Sequence, residues 1–223
     1  MQYFDNNENL KSELRKITYK YDNYNFTFNS DLGVFSKDKI DEGSRLLAEN
    51  YFKYGKKNLK VLDVGCGIGF LGITISKIMD SNVDMIDINN RAIHLTNMNI
   101  KENKINNARV FNSNIYENIN DTYDIIITNP PIRAGKKVYL TIINEAFNYL
   151  NKDGELWFVM RTNHGVKTVI KNLLEKYQVE VLDKSLGFYI VKVSNWQELI
   201  KYFIYFRIIE VFHYEELFLY LLT

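Results

Sequence analysis

From Leu59 onward, short apolar runs alternate with stretches of helical periodicity, and few folds accommodate that alternation. Leu59–Val64, Val83–Ile88, Ala108–Asn112 and Tyr123–Thr128 read as strands, with helices predicted over Phe70–Met79, Arg91–Glu102 and Val138–Leu150. Glu155–Met160 reads as a further strand and Val166–Tyr177 as a helix. Val179–Asp183 and Phe188–Val193 read as the last two strands. Apolar strands separated by helices need cover on both faces, so the expectation is an α/β fold with a doubly wound parallel sheet. Only Lys184–Gly187 separates the final pair, too little for a crossover helix, so these two should run antiparallel.

Upstream, Lys16–Tyr21 and Tyr24–Asn29 flank Asp22-Asn23 and predict a hairpin. Residues 31–36 read as a loop and Ile40–Tyr54 as a helix with Leu46, Leu47 and Tyr51 on one face. The expected organisation is an extension over 1–30, a domain over 31–194 and an aromatic-rich tail over 195–223. The tail is read as a packed helix or an appendage without assigned function, a dimer contact and a membrane-surface helix being the alternatives. The 28 basic and 27 acidic residues nearly cancel, which excludes a chain coated in positive charge but not a local basic patch. One cysteine, Cys66, excludes a disulfide framework, and three scattered histidines have no metal-ligand spacing, so no metal is expected. The first residues lack a secretory pattern and no stretch reads as a membrane span. A cytoplasmic protein is the expectation; the oligomeric state is left open.

The first strand runs into Asp63-Val64-Gly65-Cys66-Gly67-Ile68-Gly69 and then a helix. Gly65, Gly67 and Gly69 allow a sharp turn and close approach of a ligand to the helix start. The run from Gly67 to Gly72 also matches the dinucleotide fingerprint, but a carboxylate at Asp63 would repel a pyrophosphate. The same carboxylate suits an ammonium or sulfonium group, and S-adenosylmethionine carries both. Asp87 ends the second strand, where a carboxylate can accept two ribose hydroxyls, and Ile88 can pack on the adenine. Alternation sends Asp84 to the opposite face. After the third strand, Asn114 is placed to bond the adenine amino group, or simply to make a turn.

Both prolines of the chain fall in Asn129-Pro130-Pro131-Ile132, directly after the fourth strand. They stop the strand and stiffen the turn. The side-chain carbonyl of Asn129 and the backbone carbonyl of Pro130 can then grip two N–H bonds of one amine. Holding both hydrogens draws a conjugated nitrogen toward tetrahedral shape, frees its lone pair, and meets the developing positive charge with fixed acceptors. Asn129, Pro130, Pro131 and Ile132 are therefore the catalytic candidates, and Asn129 also borders the cofactor.

These residues resemble class I S-adenosylmethionine-dependent methyltransferases. Within them, Thr128–Lys136 (TNPPIRAGK) and Gly33–Ser36 (GVFS), continued by Asp41, Gly43, Ser44, Leu46 and Leu47, resemble ribosomal RNA guanine-N2 methyltransferases of the RsmC type. The resemblance covers about residues 25–194. It implies a Rossmann-like seven-stranded sheet whose last strand is antiparallel, Asp63 and the glycine loop at the methionine end of the cofactor, and Asp87 at the ribose. It implies Phe35 and Ser36 over the cofactor, Asn114 where the family often has Asp, and Asn129 to Ile132 at a guanine amine. The implied partner is ribosomal RNA or a ribosomal subunit. Longer members carry a second, degenerate N-terminal domain, which is not expected here and which leaves the ribosomal RNA specificity open.

Ile132 offers apolar contact where adenine-N6 and glutamine methylases carry an aromatic residue, which favours guanine N2. Arg133, Lys136 and Lys137, with Arg161 and Lys167, are expected at the same sheet edge as a basic rim for RNA phosphates. Methylation of a protein glutamine or a DNA base, a cofactor- or RNA-binding module without catalysis, and a dehydrogenase are the competing readings.

Overall fold

The computed structural model describes residues 12–34 and 38–195. The Phe35 and Ser36 expectations and the tail therefore lie outside the described residues. A hairpin opens the chain, β1 (Arg15–Tyr21) and β2 (Tyr24–Ser30), paired antiparallel from Arg15↔Ser30 to Tyr21↔Tyr24. Then follow α1 (Glu42–Tyr54), β3 (Lys60–Val64), α2 (Phe70–Ile78), β4 (Asn82–Asp87), α3 (Asn90–Glu102), β5 (Ala108–Asn112) and β6 (Tyr123–Thr128). The second half contains α4 (Lys136–Glu145), β7 (Leu150–Arg161), α5 (Val166–Leu174), β8 (Tyr177–Ser185) and β9 (Phe188–Asn195).

The seven strands β3 to β9 form one sheet in the order β5-β4-β3-β6-β7-β9-β8. Pairing is parallel from β5 to β7, and β9 runs antiparallel to both neighbours. This is the expected Rossmann-like sheet. Alternating strand residues feed two cores. Val61, Met85, Ile127 and Trp157 meet α1, α2, α3 and the hairpin on one face. Leu62, Ile86, Ile126 and Phe158 meet α4 and α5 on the other.

Several boundaries differ from the periodicity. The predicted helix 138–150 stops at Glu145, a 3-10 turn covers Ala146–Asn148, and Leu150 already pairs with Tyr123. Strand β7 is thus twice as long as read, its register shifting between Tyr123 and Ile125. The helix after it ends at Leu174, because Tyr177 pairs with Asn195 and stacks on Phe147 at 3.7 Å. Spacing alone does not separate the last turn of a helix from the first buried residue of a strand. The β8–β9 connection shrinks accordingly to Leu186-Gly187, both at positive φ, as a two-residue hairpin turn requires.

The hairpin is built into the first core: Tyr19 and Phe28 meet Phe70 at ring-centroid distances of 4.9 and 5.5 Å. Its free edge is paired by side chains. Asn103 donates to the Thr27 carbonyl and accepts its N–H, and Asn99 does the same for Asn29. Two amides one helical turn apart on α3 continue the ladder where no strand lies.

Candidate active site

The strand order reverses between β3 and β6, so the crevice beyond their C-terminal ends is the expected ligand position in a doubly wound sheet. Both singled-out motifs arrive there. Thr128 Oγ1 donates to the Val64 carbonyl at 2.8 Å and ties the two strand ends together. Gly65, at φ +72°, is in a conformation that L side chains rarely adopt. Among the described residues, a Cβ added there would come within 4 Å only of Pro131 Cδ, at 3.9 Å. The glycine loop and the proline turn thus lie next to each other, with Gly65 facing Pro131.

The loop is held from behind. The N–H groups of Gly65 and Cys66 both donate to the Ile86 carbonyl at 2.9 Å. Gly67 donates to Asp87 Oδ2 at 2.9 Å and accepts from Thr96 Oγ1 at 2.9 Å, while Asn99 bonds the Ile68 carbonyl. A Cβ on Gly69 would fall 2.7 Å from Thr96 Cγ2, and one on Gly72 would overlap Met85 Sδ. The later glycines therefore serve close packing of α2 on α3 and β4.

Asp63 is almost fully buried. Its Oδ2 accepts from the Gly72 N–H at 3.0 Å, which caps the first turn of α2, where the N-cap Gly69 supplies no side chain. Its Oδ1 is buried without a hydrogen-bond partner among the described residues. Burial, then the neighbouring Asp87 charge, push this carboxyl up to about 7 against the Gly72 bond. A carboxylate left short of partners beneath a ligand loop is a group that a nearby cation would stabilise.

Asp87 is also buried, with Oδ1 accepting from the Asn89 N–H and Oδ2 from Gly67. Ile88 is half-buried, and its carbonyl accepts from Asn112. Asn114 is exposed past the end of β5, where its amide donates to Glu117 at 2.7 Å. On the near side, Arg91 bonds the Leu32 carbonyl at 2.8 Å and Asn89 caps α3. Arg91 also pairs with Asp31 at 3.8 Å and Asn89 Nδ2 donates to the Gly33 carbonyl at 3.5 Å, so the segment from Asp31 to Gly33 is held at the start of α3.

Asn129 follows β6 directly. Its Nδ2 donates to Asp41 Oδ1 and Ser44 Oγ, each at 2.8 Å. No donor among the described residues reaches its Oδ1 or the Pro130 carbonyl. The Pro131 carbonyl is taken by the Ala134 N–H at 3.0 Å as Ile132–Ala134 forms a 3-10 turn. Ile132 is half-buried against the second core. Arg133, Lys136, Lys137, Arg161 and Lys167 are all exposed. The NPPI motif carries no sign of the partners of Asn129; their sequence signal is the Asp41-x-x-Ser44 spacing of a helix cap.

The methyltransferase small domain family model matches residues 25–192. The chain is 39% identical over 197 residues to the uncharacterized protein YbxB of Bacillus subtilis, covering 86% of this chain and 98% of that one. It is 35% identical over 152 residues to ribosomal RNA small subunit methyltransferase C of Buchnera aphidicola, covering 66% of this chain and 44% of the relative. Among solved structures, Thermus thermophilus 16S rRNA N2 G1207 methyltransferase, RsmC, in complex with AdoMet and guanosine superposes with a TM-score of 0.74 at 23% identity. That match covers 83% of this chain and 52% of the other, so the chain spans about half the length of these ribosomal RNA enzymes.

Proposed function

The chain belongs to the methyltransferase small domain family and uses S-adenosylmethionine as its cofactor; on that premise we propose that it methylates the exocyclic N2 amine of a guanine in small-subunit ribosomal RNA. When bound, the cofactor supplies an activated methyl group on a sulfonium centre. The Asp63 oxygen that has no partner among the described residues, and the absence of a side chain at Gly65, fit such a cationic ligand. Gly65, Gly67 and Asp63 are assigned to its methionine end, and Asp87 with Ile88 to its nucleoside. Asn114 is assigned to the adenine edge, its exposed amide turning from Glu117 to reach it.

The observation that carries the reading is a pair of carbonyls at the end of β6, Asn129 Oδ1 and Pro130 O, that receive no donor among the described residues. Two acceptors on a rigid turn hold the two hydrogens of one planar amine. They localise its lone pair and receive the positive charge that grows on nitrogen as the new bond forms. The product ammonium then sheds its proton to water, so no residue here needs to act as a base beforehand. Ile132 offers an apolar wall to the target base. A base stacked in RNA must be splayed out to reach this depth.

The exposed cations beside the turn support a nucleic-acid substrate. Lys136 and Lys137 stand in the first turn of α4, where the helix dipole disfavours cations and favours phosphate. Arg161, at the end of β7, is held over the Phe188 ring at 4.3 Å and faces the same edge.

Asn129→Ala should lower transfer about a thousandfold or more while leaving the cofactor dissociation constant within a few-fold. Turnover at the wild-type rate would remove the amine clamp.

A further inference from the structure

Taking the amine clamp as its premise, we infer that Asp41 and Ser44 are positioning residues that fix which end of the Asn129 amide faces the crevice. An asparagine amide can rotate by half a turn and present either oxygen or nitrogen, and only the oxygen can accept from a substrate amine. Here both hydrogens of Nδ2 are spent, on Asp41 Oδ1 and on Ser44 Oγ, at 2.8 Å each. The rotated amide would set its carbonyl against a carboxylate, so that arrangement is repelled. The bond to Asp41 is charge-assisted, and it polarises the amide so that Oδ1 becomes a stronger acceptor.

The anchor is itself rigid. Asp41 is the N-cap of α1, accepting from Ser44 N–H at 2.9 Å through the same Oδ1 that receives Asn129. Between them lies Gly43, whose added Cβ would fall 2.8 Å from the Phe188 ring. The first turn of α1 is therefore pressed onto β9, which pairs with β7 next to β6. Residues 88 and 85 positions away in the chain thus set the orientation of one functional amide.

A purely structural role for Asp41, as the helix cap, is separated by choice of variant. Glycine is a tolerated helix cap but offers Asn129 no acceptor, whereas asparagine both caps and accepts. In transfer from radiolabelled S-adenosylmethionine to unmodified in-vitro-transcribed small-subunit ribosomal RNA, Asp41→Gly should lower kcat about ten- to a hundredfold. Ser44→Ala should lower it less, and Asp41→Asn least. All three should keep the cofactor dissociation constant within about threefold, and Asp41→Gly should melt near the wild-type temperature. Asn129→Asp sets two carboxylates together and should be inactive. Wild-type kcat in Asp41→Gly overturns the inference. An inactive Asn129→Ala alongside a fully active Asp41→Gly defeats the inference alone. An active Asn129→Ala defeats the clamp on which it rests.

Discussion

Two buried acids on neighbouring strands, Asp63 of β3 and Asp84 of β4, have opposite surroundings. Asp84 lies on the second face, where Arg109 grips it with bonds of 2.6 and 2.9 Å and the Tyr123 hydroxyl adds one of 2.7 Å. Burial pushes its carboxyl up, but the Arg109 and Tyr123 bonds outweigh that and hold it below the usual carboxylate range. Asp63, on the first face, has one backbone bond and an oxygen without a partner among the described residues. The same side chain is thus fully compensated where it only holds the sheet together and under-compensated where a cationic ligand is expected. Incomplete satisfaction of a buried polar group is a mark of a binding site.

Removing each acid should separate the two roles. Asp84→Ala leaves the buried Tyr123 hydroxyl unpaired and should cost about 2–3 kcal/mol of stability by denaturant unfolding, with cofactor affinity unchanged. A neutral effect on stability would break the contrast from one side. Asp63→Asn should weaken cofactor binding about tenfold and leave the fold as stable or more so at pH 8. A large stability loss there, with intact affinity, would break it from the other.

The pH dependence sharpens the comparison. In the free protein the Asp63 carboxyl lies near 7, above its unfolded value, so the folded state holds an extra proton between about pH 4 and 7. Stability from this group is therefore present at low pH and lost as pH rises through about 7. A bound cation reverses the preference and expels the proton. Calorimetry near pH 6.5 in buffers of different ionisation enthalpy should find more proton release for the wild type than for Asp63→Asn. Equal release in the two proteins would contradict the assignment. The smallest expected effect is at the rim. Lys136→Ala with Lys137→Ala should weaken RNA binding several-fold and reduce its salt dependence, and an unchanged salt slope would place the RNA elsewhere.

Much of this arrangement is legible in the chain itself. The glycine loop, Asp87 and the NPPI turn announce their places because each sits at a strand end, and strand ends follow from hydrophobic patterning. The strands Ala108–Asn112 and Tyr123–Thr128 have the limits expected of them. Periodicity carries the helices on to Leu150 and Tyr177, past their ends at Glu145 and Leu174, because an apolar period runs on into the next strand. What the sequence conceals is pairing at a distance. Asn129 meets Asp41, Asp84 meets Arg109, and Asn99 and Asn103 meet the hairpin, each through polar side chains that obey no period. Asp63 reads as a ligand-facing carboxylate, and only the folded chain reveals that one of its oxygens is committed to Gly72.

The central claim is that the crevice between β3 and β6 joins a cationic methyl donor to an amine held by Asn129 and Pro130. Its most direct measurement is nucleoside mass spectrometry on small ribosomal subunits lacking the modification, after incubation with the protein and methyl-labelled S-adenosylmethionine. The account predicts labelled N2-methylguanosine at one position of the small-subunit RNA. Label found instead in N6-methyladenosine or protein glutamine, or no transfer at all to RNA, would contradict it.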